Sequence, residues 1–278
     1  MTDPHNINYQ PLNDMHSAYR KAAIQVMRSP FALFILLLNV ITIATVLFSV
    51  VPVNVALIFF PAMYIYYVVF MTTSKAHQLK NMAWQNFGVT NGWDVNNVTN
   101  TNELVPPSLL QGLNNQFASP ILQVQLNSLQ FNLFAFECIY SASYRRQSGD
   151  YYTVAMVPLE HDMPHILLRS KQLKTQLQRD MVNAQSLKLE GDFNAYFNLQ
   201  LESGSQIDVL SIVTPDVMST LIDNNQKQEI EIFGSNLYFM MSKQKQGMED
   251  TKQLIHSVVA LSTQLKENIH AASMHSTQ

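Results

Sequence analysis

From Ser29 to Ser74 the chain carries no Asp, Glu, Lys, Arg or His. An uncharged apolar run of that length is stable in few media, so it restricts the fold more than any other feature. A bilayer core of about 30 Å is crossed by about 20 apolar residues. As continuous helix, a block of about 46 residues would reach ~69 Å, which is enough for two crossings. Two spans can be drawn, Phe31 to Val51 and Val53 to Met71, with Pro52 and Asn54 at the turn between them. Pro52 has no N–H to donate and interrupts a helix, while Asn54 is at home in interfacial water. A secretory signal would lie nearer the terminus, with a shorter core and a small-residue cleavage site. A buried helical hairpin of a soluble protein would keep polar positions on an outer face, and these spans hold very few. The expectation is a transmembrane helical hairpin over 29–74.

Flanking charge orients it. Arg20, Lys21 and Arg28 precede the first span, Lys75 and Lys80 follow the second, and the turn between carries no charge. Positive charge stays on the cytoplasmic side, so both termini are expected in the cytoplasm and the protein in the cytoplasmic membrane. Tyr64, Tyr66 and Tyr67 suit the inner-leaflet aromatic belt, and Pro61 is expected to kink the second span. Two spans without an ionisable group make a poor transport pathway, so anchor is the better reading, with Asn39 the polar exception.

Outside this block the chain is polar and modestly charged. Lys plus Arg number 17 against 20 Asp plus Glu, a net charge of −3. Without a basic field, nucleic acid is not an expected partner. Cys138 is the single cysteine, so no internal disulfide can form; its apolar neighbours suggest a small buried hydrophobe rather than a nucleophile. The 14 methionines read as adaptable core filler.

Local patterns set out the rest. Met15, Tyr19, Ala22, Ala23 and Val26 have helical spacing, and Lys75 to Gln85 continues as helix toward the Asn91-Gly92 pair that ends it. Residues 94–118 are rich in Asn and Thr and read as a loop; the Asn97-Val98-Thr99 sequon is without meaning in the cytosol. Phe131 to Tyr144 and Tyr151 to Val157 read as a hairpin about a polar turn, and Ile166 to Leu168 as a short third strand. Further strands are expected at Ser186 to Leu189, Ala195 to Leu201 and Ile207 to Ile212. Thr214-Pro215-Asp216 opens a helix, with Thr214 as N-cap and Pro215 in the first position. Glu229 to Ile232 and Asn236 to Met241 read as a final hairpin. Leu254, Val258, Leu261 and Leu265 form a stripe on the last helix, Glu249 to His270, that either packs on the sheet or pairs with a second copy. The expected class is α+β, with a mainly antiparallel sheet. The expected organisation is a cytosolic tail with a short interfacial helix (1–28), the hairpin (29–74), a juxtamembrane helix and loop (75–118), a soluble α+β domain (119–247) and a C-terminal helix and tail (248–278).

Several strings occur together: Phe87 to Trp93 (FGVTNGW), the hairpin from Tyr144 to Val154, Leu189 to Phe193 (LEGDF) with Phe197, and Thr214 to Met218 (TPDVM) followed by Ile230 to Phe239. In this order they resemble a family of bacterial membrane proteins containing the domain of unknown function numbered 3137, of the type seen in candidate-phyla bacteria. The resemblance covers Phe87 to Met241. It implies a bacterial cytoplasmic membrane location and carries no catalytic residues to this chain.

Candidate chemistry is sparse. In Glu160-His161-Asp162-Met163-Pro164-His165 the two histidines have the four-residue ligand spacing of a helix face, with Glu160 or Asp162 as third ligand. Pro164 and the surrounding loop-and-strand pattern argue instead for a solvated loop. Glu190 and Asp192 flank Gly191, where turn formation explains both. Ser203-Gly204-Ser205 lacks the strand-to-helix context of a nucleophile elbow. Arg145 and Arg146 at a hairpin tip could touch anionic headgroups. No catalytic, cofactor-binding or metal residue is assigned. The expected function is a membrane-anchored, non-enzymatic interaction or sensory domain. Its partners would be the bilayer and either a protein or a second copy through the C-terminal helix. The alternatives are an accessory subunit of a membrane transport or secretion complex, and a membrane-tethered hydrolase.

Overall fold

The computed structural model describes residues 6–48, 53–97, 104–110, 115–142, 146–172, 181, 184–224, 227–243 and 248–276. The chain divides into two compact units, Pro11–Trp84 and a second made of Met1–Gln10 with Gln85–Gln278.

The Pro11–Trp84 unit is helical. A 3₁₀ segment, Gln10–Ser17, leads into α1 (Ala18–Met27), whose Ala18, Ala22 and Val26 are buried at four-residue spacing. Ser29 ends that helix and starts the next. Its hydroxyl donates to the Val26 carbonyl (2.7 Å) and accepts from the Ala32 N–H (3.2 Å). Pro30 then takes the first position of α2 (Pro30–Phe48), where no N–H is needed. The long helix α3 (Val53–Thr90) contains Pro61 and joins the second expected span to the juxtamembrane helix without interruption. Phe31 meets Tyr67 edge-on, with ring centroids 5.2 Å apart, and Lys80 Nζ lies 4.8 Å above the Tyr19 ring. The expected turn at Pro52 falls outside the described residues. Among those residues no single helix is long and apolar enough to cross a membrane. The pair Ala18–Met27 and Pro30–Ile41, bent by 57° at its break, meets the length and composition together.

The second unit begins at the end of α3. Asn91 and Gly92 close the helix as expected: the Gly92 N–H donates to Val89 O (3.1 Å) and the Trp93 N–H to Gly88 O (3.0 Å), with Gly92 at φ +71°. These are the paired bonds of a Schellman cap, which needs a residue free to enter the left-handed region. The side chain of Asn91 reaches back to the Phe87 carbonyl and exchanges two hydrogen bonds with the backbone of Asn8. At this cap Tyr9 stacks on Phe87, and Trp93 meets Phe87 edge-on. A Cβ on Gly88 would stand 2.7 Å from side-chain atoms of both Leu122 and Val95. Gly88→Ala is therefore expected to lower stability by about 1–3 kcal/mol. A thermal melt with an unchanged midpoint would show that those two side chains yield freely.

The core is an antiparallel sheet, ordered β1 (Asp94–Asn96), β3 (Ile121–Leu126), β4 (Leu129–Ala142), β5 (Arg146–Ser170), β7 (Phe197–Glu202) and β6 (Ala184–Leu187). β2 (Asn115–Ala118) also pairs with β4, and β8 (Glu229–Lys243) runs along the other edge of β5. The fold is thus α+β with a mainly antiparallel sheet, as the pattern of elements suggested. Tyr152 to Val157 are all buried, so this stretch of β5 is covered on both faces. On one face Tyr152, Val154, Tyr238 and Met240 pack with Phe134, Phe136 and the short helix α4 (Pro107–Leu110). Strand alternation turns Thr153, Ala155, Leu237 and Phe239 to the other face, and α8 (Met248–Ser276) packs on β5 and β8. Leu254, Val258, Leu261 and Leu265 are fully or almost fully buried within the chain, so the stripe serves the single-chain core. Helices α5 (Phe193–Tyr196), α6 (Gln206–Ile212) and α7 (Pro215–Asn224) complete the unit. Asn268 on α8 donates to Ile212 O (3.0 Å) and to the Thr214 hydroxyl (3.3 Å), which ties the far end of α8 to the α6–α7 junction.

Four expectations need correction. The short strand at Ile166 to Leu168 is the continuation of β5, which runs through Pro158 and Pro164. Register shifts at Pro158/Met163 and Met163/Ile166 mark bulges, where a missing N–H is tolerated. The final hairpin is likewise one strand, β8; Gly234, at φ +56° opposite Met163, bends it without reversing it. Ile207 to Ile212 is helix, not strand: Val209, Ile212 and Val213 are buried at helical spacing while Leu210 is exposed. The segment 94–118, expected as loop, holds β1, α4 and β2, and β3 follows it with an alternating burial pattern.

Candidate functional site

Two polar constellations stand out in the second unit. The first is internal. Glu231, on β8, has no exposed surface. Its Oε1 accepts from the Ser108 N–H (3.2 Å) and lies 2.7 Å from His165 Nε2, and its Oε2 accepts from the Ser108 hydroxyl. Ser108 comes from α4 and His165 from the bulged part of β5, so a single carboxylate joins three elements. Beside it Arg169 Nε lies 3.2 Å from Glu229 Oε1. Phe233 covers the His165 ring edge-on at 5.1 Å. Burial first, and the Glu231 charge second, push Tyr238 up to about 12, against a lowering hydrogen bond from Asn236.

Serine, histidine and a carboxylate suggest nucleophilic chemistry by composition alone, and the order of contacts argues against it. A triad needs the imidazole between hydroxyl and acid, so that it can take the hydroxyl proton. Here the carboxylate occupies the middle, and the Ser108 hydroxyl donates to it. The arrangement satisfies a buried charge and pins α4 onto the sheet.

The second constellation is at the surface. The bulge in β5 places Glu160 and His161 beside His270 in the last turns of α8, with one ligand atom of each lying within 4.8 Å of the others. The imidazoles of His161 and His270 stack with centroids 5.8 Å apart and planes inclined by 20°. His270 Nδ1 is 3.9 Å from Glu160 Oε2. A cavity of about 290 Å³ adjoins them, lined also by Leu159, Lys266, Glu267 and Ile269.

The residues singled out in the sequence are therefore redistributed. His161 and His165 separate, the first to the surface cluster and the second to Glu231. Glu190 and Asp192 stay exposed on a tight turn around Gly191 (φ +67°). Asp192 sits at the N-cap of α5 without a side-chain bond; Asn194 closes this turn instead, exchanging hydrogen bonds with the backbone of Leu189. Ser203 and Gly204 form the expected turn. Arg145 lies outside the described residues, and Arg146 begins β5. Cys138 lies in β4, in register with Gln116 and Asp150. Asn39 donates to the Ile35 carbonyl one turn earlier on its own helix (2.8 Å).

No family model matches the sequence, and no curated protein does. The crystal structure of the mycobacterial trehalose monomycolate transport factor A is similar over 66% of this chain and 89% of that one, at 10% identity and a TM-score of 0.46. The likeness is too distant to bear on function.

Proposed function

We propose that this chain is a membrane-anchored interaction domain, held at the cytoplasmic membrane by 29–74 and acting through binding rather than catalysis. The observation that carries the reading is the outward surface of the helical unit. Phe31, Leu33, Phe34, Leu36, Leu37, Val40 and Ile41 are exposed on α2, as are Ile65, Tyr66, Val69 and Phe70 on α3. On α2 these positions span about 220° of the helix at 100° per residue, all but the side of the buried Ala32 and Asn39. A helix apolar all round is stable inside a protein core or in lipid, and within this chain the side chains are uncovered. In water each of these half-exposed side chains would forgo about 1 kcal/mol of burial, roughly half the full-burial range. A location in the bacterial cytoplasmic membrane is also what the family resemblance implies.

The binding reading is supported by how two of the candidate acid–base clusters are used. Glu231 is committed to Ser108 and His165, and the Glu190–Asp192 pair belongs to a turn. Washing membranes from cells expressing the full chain with alkaline carbonate tests the anchor. The protein should remain in the pellet and leave it only with detergent. Release by carbonate or high salt alone would defeat the proposal.

A further inference from the structure

We infer that Glu160, His161 and His270 form a binding site for one divalent ion of the zinc class, joining the bulge of β5 to the last turns of α8. Two imidazoles and a carboxylate are the donor set of many three-ligand zinc sites, which leave a fourth position for water. Imidazole donors select zinc, nickel and copper over magnesium and calcium. The three groups come from elements far apart in sequence, and the fold itself aims them at one point.

The backbone supports the placement. Pro158 pairs with Asn236 and Met163 with Gly234, so residues 159–162 lie opposite Ser235 alone. The surplus chain forms a bulge, and bulges re-aim side chains at functional places. On the other side, Asn268 is anchored to the α6–α7 junction, which holds the turn bearing His270.

Distances are compatible. At bond lengths of about 2.0–2.1 Å, tetrahedral ligand atoms stand about 3.4 Å apart. The present spread of up to 4.8 Å closes with small rotations of exposed side chains. The adjoining cavity leaves room for water as the fourth ligand. A doubly charged ion would meet one carboxylate in the site, with Lys266 and Glu267 offsetting each other at its rim. The ion would clip the last turns of α8 to the bulge of β5.

Calorimetric titration of Zn²⁺ into full-length protein in detergent, after stripping with a chelator, tests this. One ion per chain is expected, with affinity reduced about tenfold or more in H161A, H270A and E160Q and unchanged in H256A. Replacing zinc with Co²⁺ should give the visible absorption of four-coordinate cobalt, absent from the H161A/H270A double variant. The three side chains are exposed, so the far-ultraviolet circular dichroism of the variants should match the parent. Absence of saturable zinc binding would overturn the inference. So would saturable binding that survives in the double variant.

Discussion

Glu231→Ala is expected to cost about 3–5 kcal/mol of folding stability, because it takes the shared partner from three polar groups at about 1–3 kcal/mol each. The carboxylate has no contact with water, and its four interactions act together: it accepts from both the N–H and the hydroxyl of Ser108, faces His165, and lies near Tyr238. Alanine leaves the two Ser108 donors and the imidazole facing a void, and each buried group without a partner costs about 1–3 kcal/mol. Glu231→Gln separates charge from shape. Its amide oxygen still accepts one bond, and the Ser108 hydroxyl can rotate to accept from the amide nitrogen, so a loss nearer 1–3 kcal/mol is expected. Urea unfolding of the full chain in detergent, followed by tryptophan fluorescence, measures both. In the glutamine variant Tyr238 should ionise at lower pH than in the parent yet stay above its ordinary value, because burial is the larger cause of its shift. A loss below about 1 kcal/mol for the alanine variant would mean that the network does not hold α4 on the sheet.

That network also shows where sequence reasoning stops. Glu229-Ile230-Glu231-Ile232 alternates at period two, the mark of a strand with one wet face. Both glutamates are nevertheless buried, because Ser108, His165 and Arg169 reach them from distant segments and satisfy them. Nothing local announces such partners. The same limit hid the surface cluster: four-residue spacing drew His161 and His165 together, while the bulge sends them apart and the missing imidazole comes from α8. Signals that act over a few residues were legible. Thr214-Pro215 opens α7, Asn91-Gly92 closes α3, and the leucine–valine stripe of α8 is buried as its spacing required.

Punctuation misled where tertiary context overrode it. Pro158, Pro164 and Gly234 look like strand ends, and each sits at or beside a bulge within a long strand. In α6 the apolar positions 207, 209, 210 and 212 fit either period, and packing against α8 selects the helix. Strings such as Phe87 to Trp93 and Leu189 to Phe193 prove to be a helix cap and a turn closed by Asn194. Their residues follow from backbone geometry rather than from chemistry.

The largest effect tied to the proposed anchor is expected at Ile41, the midpoint of the first span drawn in the sequence. Ile41 is 50% exposed on α2. If that surface faced water, Ile41→Arg would be an ordinary surface change, worth within about ±0.5 kcal/mol. If it faces lipid, arginine at mid-span costs about 2.5–3.5 kcal/mol, a shift of roughly two orders of magnitude in the insertion equilibrium at tenfold per 1.4 kcal/mol. Snorkelling relieves less of that cost at the centre of a span than near its ends. Val89→Arg supplies the comparison: Val89 is 69% exposed on α3 but lies beyond the uncharged block, so it should leave membrane retention unchanged. Quantifying both variants in the carbonate-washed pellet against the parent separates the two media. Equal retention of Ile41→Arg and Val89→Arg would place the apolar face of α2 somewhere other than lipid, whereas selective loss of the first follows only if the bilayer is its solvent.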